Sequence, residues 1–526
     1  KRKNSDANKN KGAIMADEEF TPGSEGTGGV SAGDPIAGDP AAGNAPEGAD
    51  GQIGAEGQTG ADGGAAAAEG HAAHKGFSSK IGFVLAAAGS AVGLGNLWRF
   101  PYLAAKYGGG IFLLCYIALA VTFGFCLLVL EIAIGRKTGK GAIGAFAALS
   151  KKFKWFGFLV IAVPIIIVPY YCVIGGWVVR YIFAYITGDG MLIGDGVTET
   201  TSSQFFGVFT SSPWQPMVFF LIFIAATIAV VVGGVRKGIE RMSKILMPLL
   251  AIIAVFLMIY VLCQDGAGAG VADLFIPDFS EFTFGTLLAA LGQLFYSMSL
   301  AMGIMITYGS YMKKNAKISG AARQISVCDT LFAIVAATII IPSIYAYSPD
   351  PEAAIAASGP SLMFVQLPLV FNALPGGRVI GALFFILVLF AAITSSVSLV
   401  ETIVAVLREN LHLKRWVSCL IVFGVSVLLG SLSSLGFGPL SFIHIGEGKS
   451  AKSILDMFDW LSNSVLMPLV AIGTCLIAGF FTDSKAITDE IDIKSKGMRT
   501  YFLIMIRFIA PVCMAAILFS GIFMQL

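Results

Sequence analysis

Charge is what this sequence has least of. Of its 526 residues 13% are Asp, Glu, Lys or Arg, 56% are hydrophobic, and the mean hydropathy is +0.80. A water-soluble chain of this length needs far more polar surface, which leaves an all-α polytopic membrane protein as the expected class. Histidine is scarce, with 4 copies, and the 8 cysteines fall in or beside apolar stretches with neither paired nor metal-ligand spacing. They read as buried, inert thiols. A nucleophile–base pair, a nucleotide-binding loop and a metal cluster are also missing, so enzymatic activity is not expected. The net charge of +2 carries no nucleic-acid signature, and no nucleic-acid partner is expected. Oligomeric state is not legible.

Aromatic residues are nearly missing from residues 1–74, which consist mainly of Gly, Ala, Asp, Glu and Asn. Such a stretch cannot bury enough apolar surface to offset its ordering entropy, and is expected to be a disordered, low-complexity cytoplasmic tail. It has no apolar core of the secretory-signal kind. Residues 75–526 are expected to form the membrane domain.

That domain divides into eleven apolar segments, near 81–106, 109–133, 155–186, 215–233, 240–263, 284–311, 319–346, 377–407, 415–437, 457–481 and 500–524. Each is long enough to cross a bilayer as a helix. Basic residues cluster in alternate loops: Arg136, Lys137, Lys140, Lys151, Lys152 and Lys154 after segment 2, Arg236 and Lys237 after segment 4, and Lys313, Lys314 and Lys317 after segment 6. Lys414 and Arg415 follow segment 8, and Lys485, Lys494, Lys496 and Arg499 follow segment 10. Loops 188–214 and 264–283 contain no Lys or Arg. The positive-inside rule then predicts a multi-pass protein of the cytoplasmic membrane, with the amino terminus inside and, after eleven crossings, the carboxyl terminus outside.

Two segments carry residues that a spanning helix avoids. Segment 1 contains GSAVGLGNLWRFP over 89–101, with Gly89, Ser90, Gly93 and Gly95 around Asn96, and Arg99 just beyond. Glycines cost roughly 1 kcal/mol each relative to alanine in a helix interior. They serve either close helix packing or an unwinding of the helix at mid-membrane that frees backbone groups for a ligand. Asn96 and Arg99, costly at membrane depth, favour unwinding. Segment 6 has a similar interruption in GQLFYSMSLAMG, 292–303, with Tyr296, Ser297 and Ser299 at its centre. If the first ten segments are two groups of five, about 81–263 and 284–481, segments 1 and 6 correspond and 500–524 is an extra helix. Five crossings is an odd number, so the two groups have inverted topology. Paired interrupted spans mark the binding site in transporters built this way, a rule drawn in part from the family to which the motifs below point.

GSAVGLGNLWRFPY resembles the neurotransmitter:sodium symporter family, and within it the bacterial amino-acid transporters. YGGG at 107–110, EIAIGR at 131–136, PYYCVIGGW at 169–177, KGIERMSKILMP at 237–248, ITYGSY at 306–311 and ITSSVSL at 393–399 follow in the order found there. The resemblance implies eleven transmembrane helices in a 5+5 inverted repeat with helices 1 and 6 broken, and two sodium ions as cofactors. One sodium site would use the carbonyls of Gly89, Val92 and Ala391 with the hydroxyls of Thr394 and Ser395. Ala391, Thr394 and Ser395, at i, i+3 and i+4, share a helix face; the bland alternative is hydroxyls bonded to their own backbone. The other site would use Ala91, Asn96, Ser297 and, where the family often has asparagine, Asp329. The alternative for Asp329 is a water-facing residue near the cytoplasmic end of its span. As a fixed negative charge it would make chloride unnecessary, and on the return step it could take up a proton.

The same resemblance places the substrate between the two breaks. The amides near Leu94 and Gly95, with the Tyr171 hydroxyl, would hold its carboxylate; carbonyls near Tyr296, Ser297 and Ser299 would face its amino group; Ser90 and Ala91 would also contact it. Ile167, Tyr296, Met302, Ser395 and Leu399 would line the side-chain pocket. Monoamine carriers of the family hold an amine with an aspartate in the first break, where this chain has Gly93. A neutral hydrophobic or aromatic amino acid is therefore expected. Arg99 and Asp459 would form an outer gate above Tyr171 and Tyr296. Glu409 with His74 or Lys75 would form an inner one, where the usual Arg and Trp are replaced by those residues and Phe77. Solvated helix ends are the alternative for these charges. The expected function is sodium-coupled amino-acid import by alternating access. A sodium-dependent amino-acid sensor and a proton-coupled exchanger of the same fold are the alternatives.

Overall fold

The computed structural model describes residues 76–524 apart from 195, 349, 357–359 and 446–451. The expected tail, 1–74, lies outside the described residues. Among the described residues the architecture is helical, interrupted only by two isolated β-bridges, Gly109 with Pro277 and Ile445 with Lys452.

The first segment is a pair of helices, α1 (Lys80–Ala91) and α2 (Gly95–Lys106), bent by 51°. Four continuous helices follow: α3 (Gly110–Thr138), α4 (Lys151–Thr187), α5 (Gln215–Val232) and α6 (Val235–Leu262). The sixth segment is again divided, into α7 (Phe284–Ser297) and α8 (Ile304–Ser310). The remainder are α9 (Ile318–Tyr347), α10 (Gly377–Leu411), α11 (Arg415–Leu435), α12 (Ile454–Phe481) and α13 (Lys496–Phe523). Among the described residues, 9 helices are long and apolar enough to cross a membrane, or 10 with α1 and α2 counted as one span. At 14 and 7 residues, α7 and α8 are each too short to cross alone, and together they occupy the place of the remaining expected segment.

Both interruptions have local causes. At the end of α1, Val92 turns to an extended conformation (φ −72°, ψ 101°), followed by Gly93. After α7, Ser299 (φ 53°) and Ala301 (φ 59°) adopt left-handed conformations, as does Gly303 (φ 72°). For the two non-glycine residues this costs on the order of 1–3 kcal/mol each. Fixed partners offset it: Ser299 Oγ donates to the Ser90 carbonyl at 2.9 Å, and the Ala301 amide donates to Oε1 of buried Glu131 at 2.7 Å. The second break is thus tied both to the first and to α3.

Packing explains two of the motifs. A Cβ on Gly135 of EIAIGR would lie 1.9 Å from the Ile306 carbonyl oxygen, and one on Gly309 of ITYGSY 2.5 Å from that of Ile132. Only hydrogen at both positions lets α3 and α8 cross backbone to backbone, the small-residue contact that membrane helices use where no hydrophobic gradient drives them together. α4 and α10 run through the centre of the bundle, while α6 and α11 expose Ile252, Phe256 and Ile259, and Leu420, Leu428 and Leu432. Short helices cover the ends: Ala142–Leu149, Glu199–Ser211, Ala267–Phe275 and Ser484–Ile491.

Candidate functional site

The two breaks meet. Gln293 Nε2 of α7 donates to the Gly95 carbonyl at 2.9 Å, and Asn96 Nδ2 of α2 donates to Ser297 Oγ at 3.0 Å. Between them lies a cavity. Every residue expected to contact the substrate lines it: Ser90, Ala91, Leu94, Gly95, Ile167, Tyr171, Tyr296, Ser297, Ser299, Met302, Ser395 and Leu399, together with Gly93, Asn96 and Ile304. No lining residue is Asp, Glu, Lys, Arg or His. Tyr171 keeps its hydroxyl buried without a hydrogen-bond partner among the described residues. A Cβ on Gly93 would lie 2.7 Å from Ser395 Oγ and 3.3 Å from that hydroxyl, so a side chain there would fill the polar end of the cavity.

Beside that end sits a set of oxygens. Ser395 Oγ lies 3.4 Å from the Gly89 carbonyl, 3.1 Å from that of Ser90 and 3.3 Å from that of Val92. Thr394 Oγ1 is 3.0 Å from the Ala391 carbonyl and 3.0 Å from that of Phe390, within its own helix. The Thr394 side chain also abuts α1, since a Cβ on Gly89 would lie 3.2 Å from its Cβ. Two hydroxyls and several carbonyls, all neutral oxygen, form the hard donor set that a small monovalent cation takes, by the logic that applies to hard divalent cations.

The second expected ion site centres on Asp329 of α9, which is fully buried. Its Oδ1 accepts from Asn96 Nδ2 at 2.8 Å and Ser297 Oγ at 2.7 Å, and its Oδ2 accepts from the Tyr116 hydroxyl at 3.1 Å. This places Asp329 at the breaks and overturns the water-facing alternative. Among the described residues no cationic side chain forms an ion pair with it, so its charge is held by neutral donors alone. Asn96 directs Nδ2 to the carboxylate while Oδ1 accepts from the Gly93 amide at 3.0 Å. A cation would need the Asn96 oxygen turned toward it, a flip that keeps the side chain's shape.

The gates look different from each other. Arg99 and Asp459 line one vestibule above the cavity, with Tyr170, Tyr171 and Tyr296. Among the described residues no ion pair joins them. Arg99 stacks over the Tyr296 ring, 5.6 Å from its centroid, and Asp459 Oδ1 accepts from Asn463 Nδ2 at 2.7 Å. On the opposite side, Glu409 Oε2 accepts from the Gly141 amide at 2.7 Å. His74 and Lys75 lie outside the described residues. Phe77 is buried edge-on against Phe83, Tyr308 and Tyr311.

A sequence model described as "Sodium:neurotransmitter symporter family" matches residues 74–191 and 210–525. This chain belongs to that family. It is 35% identical over 441 residues to YhdH of Bacillus subtilis, an uncharacterized sodium-dependent transporter, covering 82% of this chain and 94% of that one. The human sodium- and chloride-dependent GABA transporter 2 is 26% identical over 487 residues, covering 84% and 79%. Among solved structures, MhsT in complex with L-phenylalanine superposes with a TM-score of 0.76 at 37% identity, covering 85% of this chain and all of that one. The chain is thus a helical, multi-pass transporter of a sodium-dependent family rather than an enzyme.

Reading the sequence as a symporter missed several members of the site. Tyr116, buried in α3, holds Asp329 but stands in a plain apolar run with no motif. Gln293 braces Gly95 and could have been singled out as an amide inside an apolar segment. Glu131 belongs to a motif noted above, and its Oε1 accepts from the Ala301 amide under the second break.

Proposed function

We propose that this symporter-family chain imports a neutral apolar or aromatic amino acid together with sodium across the cytoplasmic membrane, by alternating access. The observation that carries the reading is the cavity between the breaks. Its walls are apolar and aromatic, its ends are neutral oxygens and backbone, and no fixed charge lines it. A ligand with a single net charge would be left without a counter-charge there, whereas a zwitterion brings both. Its carboxylate suits the amides at the amino end of α2 and the free Tyr171 hydroxyl, and its ammonium suits the carbonyls around the second break. Ile167, Met302 and Leu399 leave a flexible apolar wall for the side chain. The phenylalanine bound in MhsT supports this class of ligand.

Two sodium ions complete the reading. One is held by Gly89, Val92, Ala391, Thr394 and Ser395, the other by Ala91, Asn96, Ser297 and Asp329. The second set includes a carboxylate, so chloride is not required. Each charge entering down a 100 mV potential supplies roughly 2.3 kcal/mol. The basic loops face the cytoplasm and the carboxyl terminus lies outside. Uptake of labelled phenylalanine, tryptophan and leucine into proteoliposomes under an inward sodium gradient tests the proposal. Accumulation above the outside concentration supports it; saturable binding without accumulation supports the sensor reading instead.

A further inference from the structure

On the face that carries the basic loops, a groove opens between the start of α1, the end of α8 and the start of α9. Lys80, Lys313, Lys317 and Arg323 line it, and no acidic residue does. The cations come from separate elements and converge: a Cβ on Gly320 would lie 3.6 Å from Lys80 Nζ, which places that ammonium over the first turn of α9. Among the described residues none of the four forms an ion pair, and Lys313 Nζ donates to the Ser78 carbonyl at 2.6 Å. The nearby carboxylate, Glu240, is occupied by Ser78 and Lys244. Phe77, Phe83 and Met312 lie at its base and are themselves buried.

Four cations with no acidic residue among them are an unbalanced arrangement. We propose that this groove binds the phosphate of an anionic phospholipid headgroup. Basic pockets between membrane helices on the cytoplasmic side bind lipid head groups in this way. The first turn of α9 adds its amides and dipole, with no side chain capping it. The groove also touches the inner closure. Lys313 holds the Ser78 carbonyl, and Phe77, whose amide donates to the Tyr311 carbonyl at 3.2 Å, packs at its base. A bound phosphate would draw Lys313 toward itself and change how firmly residues 76–79 are held.

The test is a thermal-shift titration of the purified full chain in detergent. Short-chain phosphatidylglycerol, short-chain phosphatidylcholine and inorganic phosphate are compared on wild type, the K317Q/R323Q variant and a K151Q/K152Q control that removes as much charge from the same face outside the groove. The expected result is stabilisation of wild type and control by phosphatidylglycerol, with a half-saturating concentration at least five-fold higher in K317Q/R323Q and little response to phosphatidylcholine. A five-fold loss in both variants, or in neither, overturns the proposal, because general surface charge would then account for the binding. Inorganic phosphate reproducing the groove-dependent shift at the same concentrations overturns the lipid assignment and leaves a soluble phosphate ligand. Lys80→Gln, read in the same assay, serves if K317Q/R323Q does not fold. None of these readouts requires transport, so they stand apart from the functional proposal.

Discussion

Asp329→Asn removes a charge while keeping the shape of the side chain. In the structure the carboxylate is fully buried and accepts from Asn96, Ser297 and Tyr116 at 2.7–3.1 Å. Each hydrogen bond to a charged group contributes about 1.5–3 kcal/mol, and among the described residues these donors are neutral, with no cationic side chain in an ion pair with the carboxylate. A unit cation about 4 Å from the carboxylate centre gains roughly 4 kcal/mol at an effective dielectric constant near 20. Asparagine forfeits most of that gain but retains an oxygen ligand, so we take about 2–4 kcal/mol as the loss. At 1.4 kcal/mol per factor of ten, sodium affinity should fall roughly 30- to 1000-fold. The assay is the sodium dependence of initial uptake rate in proteoliposomes, repeated with gluconate replacing chloride. Wild type should be indifferent to chloride, and the asparagine variant should become dependent on it, since a mobile anion can supply the missing charge. A half-saturating sodium concentration within three-fold of wild type in the folded variant would refute the assignment of Asp329 to an ion site. So would chloride dependence in wild type.

Thr394→Ala deletes one hydroxyl from the oxygen set that joins α10 to α1, and should raise the half-saturating sodium concentration by roughly 5- to 100-fold, the equivalent of about 1–3 kcal/mol, with thermal stability nearly unchanged. Gly93→Ala places a methyl group 2.7 Å from Ser395 Oγ and should cut uptake at least ten-fold while the purified protein keeps its melting temperature within a few degrees. Glu131→Ala leaves the Ala301 amide buried without its acceptor, at a cost of about 1–3 kcal/mol read in thermal unfolding, whereas Glu131→Gln retains an acceptor and should recover most of it. Gly135→Val would set its Cβ 1.9 Å from the Ile306 carbonyl oxygen, forcing α3 from α8, and should abolish folded expression, scored by monodispersity in detergent.

How much of this was legible before the fold was known follows from which physical signals are local. Hydropathy depends only on composition along the chain, so the apolar segments were placed within a few residues of the helices that form. The breaks were legible because Gly93, Gly95 and the serines around Met298 are poor helix interior wherever they sit. Motif resemblance carried the residues around the cavity. It did not supply Tyr116 or Gln293, whose roles depend on what the fold brings opposite them. The resemblance implied that Arg99 and Asp459 would meet in an outer gate. The fold instead lays the guanidinium over the Tyr296 ring and leaves the carboxylate to Asn463, because an aromatic face and a neighbouring amide are closer partners. The short end-covering helices were missed, since stretches such as Glu199–Ser211 are brief, mixed in character and declared mainly by a capping box at Thr198.

The central claim is that sodium drives an amino acid through the cavity between the two breaks. Its most direct test is uptake of labelled phenylalanine into proteoliposomes with an inward sodium gradient, beside vesicles in which potassium or choline replaces sodium and beside Thr394→Ala. The account predicts accumulation well above the external concentration with sodium, none with either substitute, and a collapse in the variant at low sodium. Accumulation of equal size in potassium or choline would contradict it, leaving the fold in place and removing sodium from the mechanism.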